Sequence, residues 1–301
     1  MTLRSSVSSL LAIVCVTIVM VSCKDASVDL RFVPDDNALY ELSYEGSGTG
    51  VRNGATEKHF ISYVWDLQTA KDTNAAGIKA TYKRFKIDAL FPKDTLRVDT
   101  DHPIPDSIGR NTPALMAPWV WQSVKGLSFN FRMNSLGKIE KIASFTQLQT
   151  ELAKKILQDS ALAQTDRFST VLDIAASQFS ASATQDLLQQ VFIEFPGRVM
   201  KVGDTVGRTY KYSNGLPLVI VQMFKVSEIT DTEVAFLMGG SGFLEESSDH
   251  SLKVEQQGKL IVNRKTGMLE SAYLEEVITG KLDGQPFKQD GTVKAVCRRL
   301  N

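Results

Sequence analysis

The sequence is poor in the residues from which reactive sites are built. Three histidines, His59, His102 and His250, are spread over 301 residues. Each stands without another ligating side chain at zinc spacing, so no zinc motif is present. Cysteine is equally scarce, with only Cys15, Cys23 and Cys297. Charge of one sign is not in excess either, since 34 basic side chains face 34 acidic ones. That balance argues against a nucleic-acid partner and against a polybasic membrane-binding surface, both of which need clustered positive charge. Long apolar runs are missing as well. The longest, Leu10 to Val21, is 12 residues, short of the roughly 20 that a spanning helix requires.

Motifs for chemistry fail one by one. Gly46 to Gly50 has the wrong spacing for a phosphate loop and no predicted helix after it, so it reads as a hairpin tip. Met238-Gly239-Gly240-Ser241-Gly242 breaks the nucleophile-elbow pattern because Phe243 stands where a glycine is needed. Asp99, Asp101 and Asp106 lack the glycine and terminal glutamate of a calcium loop. Glu245 and Glu246 are neighbours in a strand pattern, and adjacent strand residues point to opposite faces. The sequence therefore predicts no catalytic, cofactor-binding or metal-binding residues, and a protein that is not an enzyme.

What is present begins at Met1. Arg4 supplies a positive start, Leu10 to Val21 an apolar stretch, and Met20-Val21-Ser22 leads into Cys23. This is the layout of a secretory signal covering residues 1–22. Residues 20–23 resemble the lipobox of bacterial lipoproteins, with Met20 where leucine is usual. The resemblance implies that Cys23 is acylated and becomes the new N-terminus, which makes Cys23 the one predicted modification site. It also implies an anchor in palmitate-type chains, since one chain holds a membrane only marginally and two or three hold it stably. Lys24-Asp25 is similar to the short tether of surface-directed Bacteroidota-type lipoproteins, although Ala26 stands where a second acidic residue would strengthen that likeness. Residues 23–37 are then expected to act as a polar tether.

With Cys15 removed and Cys23 acylated, Cys297 is the last thiol. No intrachain disulfide can form despite an oxidising compartment, so a hydrophobic core must carry stability alone. Cys297 follows Val293 and Ala295 in an alternating strand pattern and reads as a small core residue.

Residues 38–143 read as a first β half. Tyr40, Leu42 and Tyr44 alternate with Glu41, Ser43 and Glu45. Ile61, Tyr63, Trp65 and Leu67 form the next strand, followed by one near Ile78 to Ala89 and a short one at Leu96 to Thr100. Thr112-Pro113 has helix-start chemistry, but Pro118 predicts a turn over 113–117 with a short helix after it. Trp119 and Trp121 there either pack into a core or line a pocket. Phe129, Phe131 and Met133 give the cleanest half-buried strand.

Residues 144–195 read as a three-helix insertion laid on one face of the sheet. Ser144 with Gln147 suggests a capping box, and Phe145, Leu148, Leu152 and Ile156 share one face. Asp166 to Gln178 and Ser182 to Phe192 carry similar stripes. Residues 196–301 return to strands, with hairpin signals at Asn214-Gly215, Asn263 to Gly267 and Asp283-Gly284, and a further turn near Gly258. The whole is a β-rich α+β fold: a curved antiparallel meander or half-barrel with helices on one face. Asn134…Gly137…Glu140 echoes Asn263…Gly267…Glu270, through either a duplication of two β halves or a shared turn chemistry.

The pairing of Ser128–Met133 with Gly137-Lys138-Ile139, and Phe195-Pro196-Gly197-Arg198-Val199 running into Val202-Gly203-Asp204-Thr205, resembles an uncharacterised family of Bacteroidota-type envelope lipoproteins, a domain of unknown function. The architecture is also similar to lipoprotein carriers and receptors. The expectation is a lipid-anchored protein of the bacterial outer membrane, facing the periplasm or the cell surface. It would bind an apolar ligand or protein segment in a groove between sheet and helices. The alternatives are a scaffold subunit acting through a surface patch or, with less support, an unrecognised hydrolase.

Overall fold

The computed structural model describes residues 26–52, 54–72, 75–91, 94–102, 113–158, 169, 173, 176, 179–212, 218–244, 251–282 and 284–300. Residues 1–22 and Cys23 lie outside the described residues, as do Asp106, Glu245, Glu246, His250 and the turn expected at Asn214-Gly215. Most of the helix expected over Asp166–Gln178 does too.

A short β1 (Ser27–Val28) precedes the long strands β2 (Leu39–Arg52), β3 (Ala55–Asp72) and β4 (Ala75–Phe91), and the short β5 (Asp94–Asp99). Helix α1 (Pro113–Gln122) leads to β6 (Ser128–Asn134) and β7 (Ile139–Ala143). Helices α2 (Phe145–Gln158) and α3 (Ala181–Val191) come next, then β8 (Met200–Lys201) and β9 (Thr205–Tyr212). The chain ends in β10 (Leu218–Ile229), β11 (Glu233–Leu244), β12 (Ser251–Asn263), β13 (Leu269–Leu282) and β14 (Gln285–Leu300).

Twelve of these strands form one antiparallel sheet in the order β7-β6-β4-β3-β2-β14-β13-β12-β11-β10-β9, with β5 on the far half of β4. The sheet curves without closing, and β7 and β9 are its free edges. At its centre β2 runs against β14 along their shared length, from Arg52 opposite Phe287 to Leu39 opposite Leu300. The first long strand and the last thus join both β halves into one surface.

Period-two patterning sets which face is covered. Tyr40, Leu42, Tyr44, Trp65, Leu67, Phe129, Phe131 and Met133 all turn inward and are buried. Against them lie Trp119, Val120 and Val124 of the α1 region, the stripe Phe145, Leu148, Leu152 and Ile156 of α2, and Leu188 and Val191 of α3. A fully buried side chain of this size stabilises by roughly 1.5–3 kcal/mol. Among the described residues the one cysteine, Cys297, is free, so this burial rather than a disulfide holds the core. Trp119 and Trp121 belong to this packing, and Trp121 meets Phe85 edge-on at 5.9 Å.

Several local expectations give way to tertiary packing. The tether expected over residues 23–37 is part of the body from Ser27 onward: β1 pairs with β8, and Val28, Leu30 and Phe32 are buried. Alternating apolar residues in that stretch outweigh its polar neighbours. Gly46 to Gly50 does not end a strand, because β2 runs through it to Arg52. Gly258 likewise lies inside β12, where a Cβ would sit 2.1 Å from the Tyr273 carbonyl oxygen of the adjoining strand. Helix α1 runs through Pro118. One forfeited backbone bond is outweighed by the burial of Trp119, Val120 and Trp121. Ser144 makes no capping box, since its φ is +64° and its hydroxyl accepts a bond from Asn130 at 3.0 Å.

The two echoing turns meet in space. Asn134 accepts the backbone N–H of Leu136 and Lys138, and Asn263 that of Lys265 and Thr266. Gly137 and Gly267 take the positive φ, +80° and +67°, that each turn needs. Phe32 N–H then bonds the Ser135 carbonyl and Val33 N–H the Thr266 carbonyl, both at 2.8 Å. The N-terminal segment is strapped between the two turns and closes one end of the half-barrel.

Candidate functional site

One row of inward positions departs from the apolar pattern. Register places Arg208 (β9) opposite Gln222 (β10), then Gly240 (β11), Gln256 (β12), Glu276 (β13), Gly291 (β14), Gly48 (β2) and His59 (β3). Four of these side chains form a continuous hydrogen-bonded belt. Arg208 Nε donates to Gln222 Oε1 at 2.8 Å, Gln222 Nε2 to Gln256 Oε1 at 2.7 Å, and Gln256 Nε2 to Glu276 Oε2 at 2.6 Å. Guanidinium can only donate, so it fixes the direction of both amides and delivers a donor to the glutamate. Gly240 makes the belt possible, since a Cβ there would sit 2.9 Å from Gln256 Oε1.

The belt divides the inner face. Below it lies the main core, including Phe224, Met238, Leu260 and Leu274. Above it a smaller apolar cluster gathers Tyr210, Leu218, Ile220, Val254 and Ile278. Arg208 is anchored further by donating to the Phe192 carbonyl at 2.6 Å and by stacking over Tyr210 and Phe224. Burial brings its pKa down to about 10.

Beside the belt, where Gly291 carries no side chain, a cleft of about 490 Å³ opens between α3 and the sheet. Tyr44, Tyr63 and Trp65 form one wall and Ile220, Leu274 and Ile278 another, while Leu187 and Gln190 of α3 form the roof. Tyr63 and Trp65 stack at 4.9 Å, with their planes 3° apart. The Tyr44 hydroxyl donates to Gln190 at 2.8 Å and ties sheet to roof. Glu276 and His59 mark the floor on either side of Gly291, and the His59 ring lies over Gly48. Burial raises the Glu276 pKa, partly offset by the Gln256 bond, and lowers that of His59, partly offset by Glu57. On the other face of the sheet the same glycines underlie a broad hollow of about 940 Å³ ringed by Lys58, Lys86, Arg97, Asp88, Glu275 and Asp290.

The other residues singled out from sequence lie elsewhere. Asp99 and Asp101 hold ion pairs with Arg84, and Asp101 also with Lys125. His102 faces Asp99 at 3.2 Å. Burial raises the Asp99 carboxyl, but bonds from Arg84, the Asp101 N–H and His102 outweigh it and leave a pKa of about 2. Among the described residues no three His, Cys, Asp or Glu side chains gather as metal ligands, and no helix is long and apolar enough to cross a membrane. Cys297 is buried beneath the sheet, and Gly239 to Gly242 lie within β11. His59, read from sequence only as a solitary histidine, is brought to the cleft. The belt was missed entirely. Its signal was a polar residue at an apolar phase, as in Ile220-x-Gln222-x-Phe224, Val254-x-Gln256 and Leu274-x-Glu276-x-Ile278.

Residues 73–269 match the model of a family of unknown function (DUF6263), and the chain belongs to that family. No curated protein matches it. Among solved structures the chain is similar to the translocator domain of autotransporter NalP from Neisseria meningitidis, at 8% identity and a TM-score of 0.32, covering 88% of this chain and 90% of that one. It is also similar to the β domain of the Bordetella autotransporter BrkA, at 7% identity and a TM-score of 0.35, covering 86% and 99%. Scores this low carry no inference about the chain.

Proposed function

We propose that this DUF6263 protein is a lipid-anchored, non-enzymatic component of the bacterial cell envelope that holds an apolar-bodied ligand in the cleft between α3 and the sheet. The cleft itself carries the reading. Its volume of about 490 Å³ falls within the range of roughly 300–1,000 Å³ usual for small-molecule sites, and apolar and aromatic walls with a few placed polar groups are the usual composition of such sites. Attachment to the outer membrane through Cys23 is supported by the leader sequence, in which Arg4, the apolar run and the cysteine stand in order. Native mass spectrometry of protein isolated without delipidation is expected to show a non-covalent adduct that leaves on denaturation. Bare protein that also takes up no added amphiphile would contradict the binding role. For the anchor, a palmitate analogue should label the wild type and not Cys23→Ala; equal labelling would refute it.

A second reading, an assembly subunit acting through its surface, is favoured by one observation. Val221, Met223, Leu237 and Phe243 are exposed on the side of β10 and β11 turned away from the inner face. Co-purification of one stoichiometric envelope protein, lost in Met223→Lys/Leu237→Lys, would support that role, and an unaltered set of partners would oppose it.

A further inference from the structure

We infer that the ligand is an amphiphile with a protonated primary amine as its head group, bound to the Glu276 carboxylate with its apolar body along the wall of Tyr44, Tyr63 and Trp65. The inference rests on the proposed cleft and specifies what enters it.

Three observations converge. The first is the state of Glu276. Among the described residues its partner is Gln256, which occupies Oε2, and no basic side chain contributes to its electrostatic surroundings. A carboxylate drawn out of water without a cation is destabilised, and a cation brought to it recovers that cost. The second is the belt. Arg208 orients the two glutamines so that Gln256 must donate; that bond engages Oε2 of the carboxylate and leaves Oε1 for a second donor. Such a chain of oriented amides fixes a binding group better than a lone side chain would. The third is the space around it. A Cβ at Gly291 would meet only the carbonyl oxygens of Ser47 and Glu276, at 3.4 and 3.9 Å, so the glycine leaves room beside the carboxylate for a head group. His59 lies on the far side of that room, and burial disfavours its protonated form. A neutral imidazole does not compete as a cation and has one nitrogen able to accept.

The alternatives are distinguishable by charge. An alcohol would leave the carboxylate uncompensated, and a fatty acid would place like charges together in a partly dry site, where repulsion is strong. Isothermal titration calorimetry of the purified protein with decylamine, decanol and decanoate, each below its micelle threshold, tests the assignment. Decylamine is expected to bind at least about tenfold more tightly than decanol, the equivalent of about 1.4 kcal/mol, and decanoate most weakly. In Glu276→Gln the preference for the amine should fall to within about threefold while decanol binding persists. Equal binding of the three by the wild type would overturn the amine assignment and leave the cleft reading intact. So would an amine preference that survives Glu276→Gln. No binding of any of the three would overturn both. Should the variant fail to fold, the wild-type ranking alone decides.

Discussion

Gly48 and His59 face each other across β2 and β3, and the imidazole lies where a side chain at position 48 would begin. A Cβ built on Gly48 would stand 2.4 Å from His59 Cε1. The glycine that looked like part of a loop is thus a seat for the histidine at the cleft floor. Gly48→Ala should displace the ring and destabilise the protein by about 1–2 kcal/mol, the usual range for mild overpacking. Urea unfolding checks this, and the same substitution in a His59→Ala background should cost clearly less. Equal costs in the two backgrounds would show that the ring is not what the glycine accommodates.

Glu276 supplies a pH dependence. Its folded-state pKa is raised, chiefly by burial, so folding favours the protonated form relative to the unfolded chain. Stability contributed by that acid is present below the ordinary carboxylate range and is lost as pH rises through the folded value. Without ligand, Glu276→Gln should therefore be as stable as the wild type or more so at pH 7, with the difference shrinking as pH falls toward 4. Thermal melts of both proteins across that range check the sign. A residue that weakens the empty fold while lining its cleft fits a binding role better than a structural one.

The belt should behave as a unit. Arg208→Met leaves the Gln222 oxygen and the Phe192 carbonyl without their donor, at a cost of about 2–4 kcal/mol. Adding Gln222→Leu should cost at least about 0.5 kcal/mol less than the sum of the single changes, because the second group is already stranded. Strict additivity in a double-mutant cycle would break the belt into independent pairs.

Cys297 should be inert while the protein is folded. Burial, with a contribution from the Glu270 charge, pushes its thiol up to about 12. Alkylation by iodoacetamide at pH 8, followed on the Cys297 peptide, should be on the order of a thousandfold slower in the native protein than in urea. Comparable rates would mean that the β14 core opens readily.

Sequence patterning carried the fold a long way because a half-covered sheet has period two. Phe129, Phe131 and Met133 announced both a strand and its inner face, and so did Tyr40, Leu42 and Tyr44. What patterning could not convey was consequence at a distance. Gly46 to Gly50 and Gly258 carry the local chemistry of turns, and only the neighbouring strands, through His59 and the Tyr273 carbonyl, require glycine within a strand. Pro118 likewise breaks a helix locally, but the burial around it keeps the helix whole. The belt was legible only as four polar residues at apolar phases on separate strands, and their alignment depends on register that no single strand specifies. Cys23, the proposed anchor, lies outside the described residues, and its assignment comes from the sequence alone.

The central claim is that the cleft beside Gly291 is where a ligand's apolar body sits. Gly291→Leu tests it most directly, because Gly291 lines the cleft and a Cβ there would make only van der Waals contact with the Ser47 and Glu276 carbonyl oxygens, at 3.4 and 3.9 Å. Titration calorimetry with decylamine should show binding to the wild type that weakens at least about tenfold in Gly291→Leu, while the two proteins melt at the same temperature. Undiminished affinity in that variant would contradict the account.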